Sequence, residues 1–371
     1  IYTLSLHDAL PILVIVADKL SYRVYKIRFA SRLVFACRLQ DICNACRAYQ
    51  GQRDDNSSSS RLKQTKQRAM KNYNIILFAI ILLSVSCSRG KEELTQGLKY
   101  PYDMCQYDDG ILISNLGGDS LNYLSSAPTG FVSYYRKGKT KIIIPPNSGL
   151  YAPKGIDVSG RFLFVADVNR VSVFDLNDCK KIDEILFPQG DAFVNDVLVA
   201  GSTLFVSVTN YNKIYLLNIS DPLHIDHGSL LEYIDIPYPS TMKMMGEYLF
   251  VASNSFDGTE YDDKIIHIID DLSNPSIRPI IHEMGDYQGL EFSPNKTRLI
   301  FCNHDIKGYI GNIVFENNEY GYDQITDAPG ALLNSLLLFD NKLYISDLAN
   351  SKIYVREIIE FDNFLPIIKG E

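Results

Sequence analysis

The 371 residues contain no tryptophan. That removes the repeat units whose signature needs one, among them the Trp-Asp repeat and the tetratricopeptide unit. Seven cysteines are present, but only Cys105, Cys179 and Cys302 follow Cys87. Three separated cysteines in a body of about 280 residues do not make a disulfide framework, and a chain of that size buries enough surface to need none. No stretch of about 20 apolar residues exists, so no membrane-spanning helix is expected. GxSxG, HExxH, phosphate-loop and Gly-rich dinucleotide signatures are all missing. Basic clusters are absent from the main body. Residues 1–69 carry 12 Lys+Arg against 5 Asp+Glu, while residues 70–371 carry 24 against 39. An acidic body disfavours a nucleic-acid partner, because phosphate backbones are bound by grouped Lys and Arg.

What is present begins at Met70. Met70-Lys71-Asn72-Tyr73-Asn74 leads into an uncharged apolar run from Ile75 to Val85, then Ser86-Cys87-Ser88-Arg89. A basic start, a short apolar run and a small residue before the break make a secretory signal over 70–86. Ser84-Val85-Ser86-Cys87 resembles the lipobox of bacterial lipoproteins, in which the cysteine becomes the lipidated first residue. The resemblance implies lipidation of Cys87, attachment to the membrane through that lipid, and an address at the bacterial cell envelope, on the outer membrane. Residues 87–97 then form a short linker. A signal is read only from an N-terminus, so residues 1–69 are read as a non-native leader, and their Cys43-Asn44-Ala45-Cys46 as chance rather than a zinc or redox pair.

From residue 98 to 371 the sequence repeats. Tyr102, Lys154, Asn195, Ser240, Gln288 and Asn334 head six similar segments spaced 41 to 52 residues apart. Each continues through a Gly or Asn turn into strand-like runs such as Phe162 to Asp167, Tyr248 to Ser253 and Arg298 to Asn303, then a third strand such as Val171 to Leu176, and in several an outer one. Short apolar strands divided by turns, at a period near 45, predict an all-β, six-bladed propeller of four-stranded antiparallel blades. Gly155-Ile156-Asp157 to Asp167, and Leu343 to Ile353, resemble the NHL and YVTN propeller repeats.

In a propeller the starts of the innermost strands share a face with the loops between second and third strands. That places Asn195, Lys154, Gln288 and Asn334, with Asp103, Asp167 and Asp347, as ligand-binding candidates around the channel mouth. Gln288-Gly289-Leu290-Glu291-Phe292-Ser293-Pro294-Asn295 and Val194-Asn195-Asp196-Val197 resemble stretches of the gluconolactonase and regucalcin-like propellers. That resemblance implies a divalent cation, Ca²⁺ or Zn²⁺, held at strand starts by Glu, Asn and Asp, serving sugar-lactone hydrolysis. Only Asn195 matches the ligand pattern: Gln288 replaces an Asn, Asn334 an expected Asp, and Asp103 lies one place off. Amide groups suit a hard cation poorly. The expectation is therefore no metal or other cofactor, and a module that binds a small molecule or protein at the channel mouth. A lactonase and a scaffold subunit of an envelope complex are the alternatives.

Overall fold

In the computed structural model the residues described are 92–187, 192–226, 232–254, 265–281, 286–303, 308–315, 319–324 and 331–357. Residues 1–91 fall outside them, and with them the leader, the signal and Cys87.

β1 (Glu92–Leu94) precedes blade one, which is β2 (Pro101–Tyr107), β3 (Gly110–Asn115), β4 (Phe131–Arg136) and β5 (Lys139–Ile144). Blade two is β6 (Pro153–Ser159), β7 (Phe162–Asp167), β8 (Arg170–Asp175) and β9 (Lys180–Leu186). Blade three is β10 (Val194–Ala200), β11 (Thr203–Val208), β12 (Lys213–Asn218) and β13 (Tyr233–Asp235). Blade four is β14 (Pro239–Met245), β15 (Tyr248–Ser253), β16 (Ile266–Asp270) and β17 (Ser276–Ile281). Blade five is β18 (Tyr287–Phe292), β19 (Arg298–Asn303), β20 (Tyr309–Val314) and β21 (Glu319–Gln324). Blade six takes β22 (Leu333–Phe339), β23 (Lys342–Asp347) and β24 (Lys352–Glu357), and its fourth strand is β1. Every pairing is antiparallel, so the expected six-bladed, four-stranded propeller is what forms.

The near-continuous apolar runs follow from where the side chains go. Successive residues of a strand point to opposite faces, and in a ring of blades both faces are covered. On β7, Phe164 and Ala166 enter the core shared with blade three, whereas Leu163 and Val165 enter the core shared with blade one. On β11, Leu204, Val206 and Val208 face blade two while Phe205 faces blade four. Each pair of neighbouring blades thus has its own core, including blades six and one, where Ile353 and Val355 meet Met104, Ile111 and Ile113.

Closure uses a strand from before the first repeat. β1 lies inside the stretch 87–97 read as a linker, yet Glu92, Glu93 and Leu94 pair with Val355, Tyr354 and Ile353. Lys342 Nζ holds Glu92 Oε2 at 2.9 Å and Lys352 Nζ holds Glu93 Oε2 at 3.1 Å, while Leu94 packs against the core between blades six and one. Such exposed ion pairs contribute under about 1 kcal/mol each; the ladder and Leu94 matter more. Deleting 92–94 should therefore lower stability by about 1–3 kcal/mol, through lost burial and a bared β24 edge, and promote self-association. Thermal unfolding and size-exclusion chromatography check this; a monomeric deletion variant with unchanged melting would show that β1 does not close the ring.

Candidate functional site

The innermost strand of each blade is bulged near its start. The pairing register shifts between Pro101 and Met104, Pro153 and Ile156, Val194 and Asp196, Pro239 and Met242, Gln288 and Leu290, and Leu333 and Leu336. A bulge leaves backbone groups without ladder partners, and three serines on second strands supply them. Ser114, Ser207 and Ser346 accept from the N–H of Asp103, Asp196 and Ser335 in their own blades. The same hydroxyls donate to Lys154 O, Ser240 O and Tyr102 O of the next blade.

Beyond the bulge, carboxylates take over. Asp103 Oδ2 accepts from Ile156 N–H at 2.9 Å, Asp157 Oδ2 from Val199 N–H at 2.7 Å, and Asp196 Oδ2 from Met242 N–H at 2.7 Å. Glu291 Oε2 accepts from Leu338 N–H at 3.0 Å and from Lys243 Nζ at 2.9 Å. Each carboxylate joins its blade to the next one. Ser335 donates to Asp103 Oδ1, which completes the circle from blade six to blade one. Two glycines let the strands approach. A Cβ on Gly155 would lie 2.5 Å from Asp196 Cα, and one on Gly289, whose φ is +49°, 2.6 Å from Asn334 O.

The strand-start residues behave differently from a mouth. Tyr102 OH donates to Asn195 Oδ1 at 2.6 Å; Asn195 Nδ2 donates to Thr209 Oγ1 and Ser240 Oγ; Ser240 Oγ donates to Gln288 Oε1 at 2.9 Å. Asn334 Nδ2 donates to Tyr102 O. All six strand-start residues are buried. Tyr123, from the segment between β3 and β4, packs edge-on against Tyr102 with ring centroids 6.2 Å apart, and burial pushes its hydroxyl up to about 12. The strand starts thus form a hydrogen-bonded plug.

Asn195, Gln288 and Asn334 are brought together in that plug, with their amides engaged by protein groups. Lys154 is fully buried over the Phe193 ring, with Nζ 3.3 Å from Ala152 O. Burial lowers it to about 8, against the attraction of Asp167. Asp167 accepts from Tyr151 and Ala152 N–H, and Asp347 from Leu332 N–H, Asn350 and Tyr354 OH. These two aspartates tie loops to strands. Asp103 stands apart from them, in the channel.

Behind the plug the six innermost strands enclose a cavity of about 360 Å³. Exposure increases along five of these strands, from buried Pro101 to exposed Gln106 on β2 and from buried Ser240 to half-buried Met245 on β14 for example, while β18 stays buried throughout, so the cavity opens at the strand-end face. Its polar lining includes Asp103, Asp157, Asp196, Glu291, Lys243 and Thr241, with Ser335 and Gln106. Reasoning from strand starts missed Asp157, Asp196, Glu291 and Lys243, which lie one or three places further along. The bulge is what hides them: it changes which position past the strand start faces the channel. Burial raises Asp103, takes Asp157 to about 6, and lifts Asp196 well above the carboxylate range with help from Asp103. Burial acts to lower Lys243, but Glu291, Asp157 and Asp103 outweigh it and its pKa rises. Among the described residues no group of three or more His, Cys, Asp or Glu is arranged to hold a metal ion.

No protein-family model matches the chain, and no curated protein matches it in sequence. Solved structures do resemble it. Streptogramin B lyase is 14% identical with a TM-score of 0.50, the match covering 72% of this chain and 96% of that one. Kuenenia stuttgartiensis hydrazine synthase is 16% identical at a TM-score of 0.48, over 69% and 76%. The Pseudomonas aeruginosa periplasmic gluconolactonase PpgL is 13% identical at 0.46, over 69% and 85%. At such identities the likeness is one of fold alone.

Two outcomes follow from this geometry. Ser207→Ala strands the Asp196 N–H and the Ser240 carbonyl and should cost about 1–3 kcal/mol in denaturant unfolding. Lys154→Met should instead stabilise at pH 7 by about 1–2 kcal/mol, because a lysine whose pKa is lowered by folding is held charged there at a cost. The gap should narrow between pH 8 and 10.5, where the unfolded state still holds the proton. A destabilised Lys154→Met at pH 7 would contradict the burial argument.

Proposed function

We propose that the chain is an envelope lipoprotein whose propeller is a non-catalytic binding module, admitting a small polar ligand or a protein segment to the channel from the strand-end face. The supporting observation is the cavity of about 360 Å³ walled by innermost strands of all six blades, with hydrogen-bonding groups on its sides and a plug at its far end. Concave, partly apolar cavities with a few polar groups are where small ligands bind. The plug side chains that would serve a strand-start site are occupied with one another, which favours the opposite face. Retention at the membrane is assigned to a lipid on Cys87, on the strength of Ser84-Val85-Ser86-Cys87.

Binding is tested by thermal-shift screening of the full chain with sugars, polyamines and short peptides. Gln106→Trp narrows the mouth without touching the inter-blade bonds. It should abolish any shift and leave the unliganded melting temperature within about 1 °C; shifts that survive it would place binding elsewhere. With glucono-1,5-lactone and millimolar Ca²⁺ or Zn²⁺, no hydrolysis is expected, and metal-dependent turnover lost in Asp103→Asn would install the lactonase reading instead. For the anchor, intact mass of membrane-expressed protein should show a chain beginning at lipid-modified Cys87, and Cys87→Ala should leave the precursor uncleaved or release it. A mature chain retaining residues 1–69 would refute that.

A further inference from the structure

Asp103, Asp157 and Asp196 stand on the innermost strands of three consecutive blades and line one cavity. Lys243 is bonded to Glu291. Among the described residues no lysine, arginine or histidine makes an ion pair or hydrogen bond with the other three. Nor can they turn away. Asp157 and Asp196 are each held by two backbone N–H groups, one from the own blade and one from the next. Asp103 is held by Ile156 N–H and the Ser335 hydroxyl. Asp196 is further pinned by the Gly155 backbone, against which no Cβ would fit.

Three carboxylates fixed in a narrow cavity with one already committed cation do not all ionise freely: each charge raises the cost of the next, and the protons belong to the set rather than to a single residue. The groups facing them are Cys105 on β2, Lys243 on β14 and Glu291 on β18, with Tyr102 of the plug feeling Asp103 and Asp196; β22 contributes Ser335 and no titratable side chain to this lining. We propose that Asp103, Asp157 and Asp196 share a proton at neutral pH and form a proton-linked lock on the inner ring of blades one to four. With the proton bound, the carboxyl groups bridge the blades with reduced repulsion. Its loss adds a negative charge that Lys243, bonded to Glu291, only partly offsets, so repulsion among the three carboxylates works against the closed ring.

The direction of titration agrees, since all three are raised, by burial first and, for Asp196, next by Asp103. A carboxyl raised on folding binds its proton more tightly in the folded state. Its contribution to stability is therefore full at acid pH and is lost as pH rises through the folded value. For Asp157 that window runs from about 4 to about 6, and Asp196, lifted well above the carboxylate range, extends it upward. The inference stands independently of any ligand.

The test is denaturant unfolding of the full chain between pH 5.5 and 7, below the value of about 8 to which burial brings Lys154. One shared proton makes the unfolding constant rise by up to tenfold per pH unit. Asp157→Asn and Asp196→Asn should flatten that slope. Their absolute stability is not the readout, because the amide NH₂ must face a backbone N–H. Infrared spectra at pH 7 should show the carbonyl stretch of a protonated carboxyl in the wild type, diminished in Asp196→Asn. A flat wild-type slope overturns the proposal, as does a slope unchanged in both variants. Should neither variant fold, absence of the wild-type infrared band overturns it alone.

Discussion

Every blade has an innermost strand with one edge turned to the channel, and the N–H groups along that edge have no ladder partner of their own. Buried donors left unmade cost about 1–3 kcal/mol each, so six such edges meeting around an axis would be prohibitive without acceptors. The chain answers with side chains from the preceding blade. Asp103, Asp157, Asp196 and Glu291 reach across to Ile156, Val199, Met242 and Leu338. Carboxylates suit this work because each has two oxygens, one for the own strand and one for the neighbour, as Asp157 and Asp196 use them. The acidity of the channel is thus first a consequence of joining blades.

That joining explains why the channel is asymmetric. At the strand starts the bulges bring Tyr102, Asn195, Ser240 and Gln288 inward, where they bond to one another and fill the axis. Further along, charged side chains replace neutral ones, mutual repulsion and hydration favour space over contact, and a cavity persists. The ring is held in two materials: apolar cores between the broad faces of adjacent blades, and polar bridges along the axis. The first supplies most of the stabilisation; the second fixes how far each blade sits from its neighbour.

The fold was legible because its cause is repetitive. Six segments at similar spacing, each with apolar runs too short for helices, leave little besides a propeller, and runs such as Phe162–Asp167 and Tyr248–Ser253 coincide with β7 and β15. The third strand of blade two begins one residue before the expected run, Arg170–Asp175 against Val171 to Leu176, because ladder bonding and not apolarity sets its ends. β1 carried no local signal: two of its three residues are glutamates, and its partner lies some 260 positions away. The channel carboxylates were hidden by the bulges: an extra residue at each strand start passes the channel side to the first and third positions beyond it, where Asp103 and Asp196 take the first and Asp157 and Glu291 the third. Asp196, one place past the matched Asn195, was visible in the string and passed over for its neighbour.

Since the outermost strand of the last blade is made before every other strand, no ring can exist until β24 has been made as well. The β1–β24 ladder is among the most non-local pairings available to the chain, and pairings of this kind are slow to find. In the interval β1 waits as a free strand, and β24 emerges into a blade whose edge is bare. The waiting segment is well suited to that role: it is short, and its two glutamates give a growing chain little to aggregate through. The order of events is thereby built into connectivity, with the blades able to stack in sequence and the first-made strand setting the seal last.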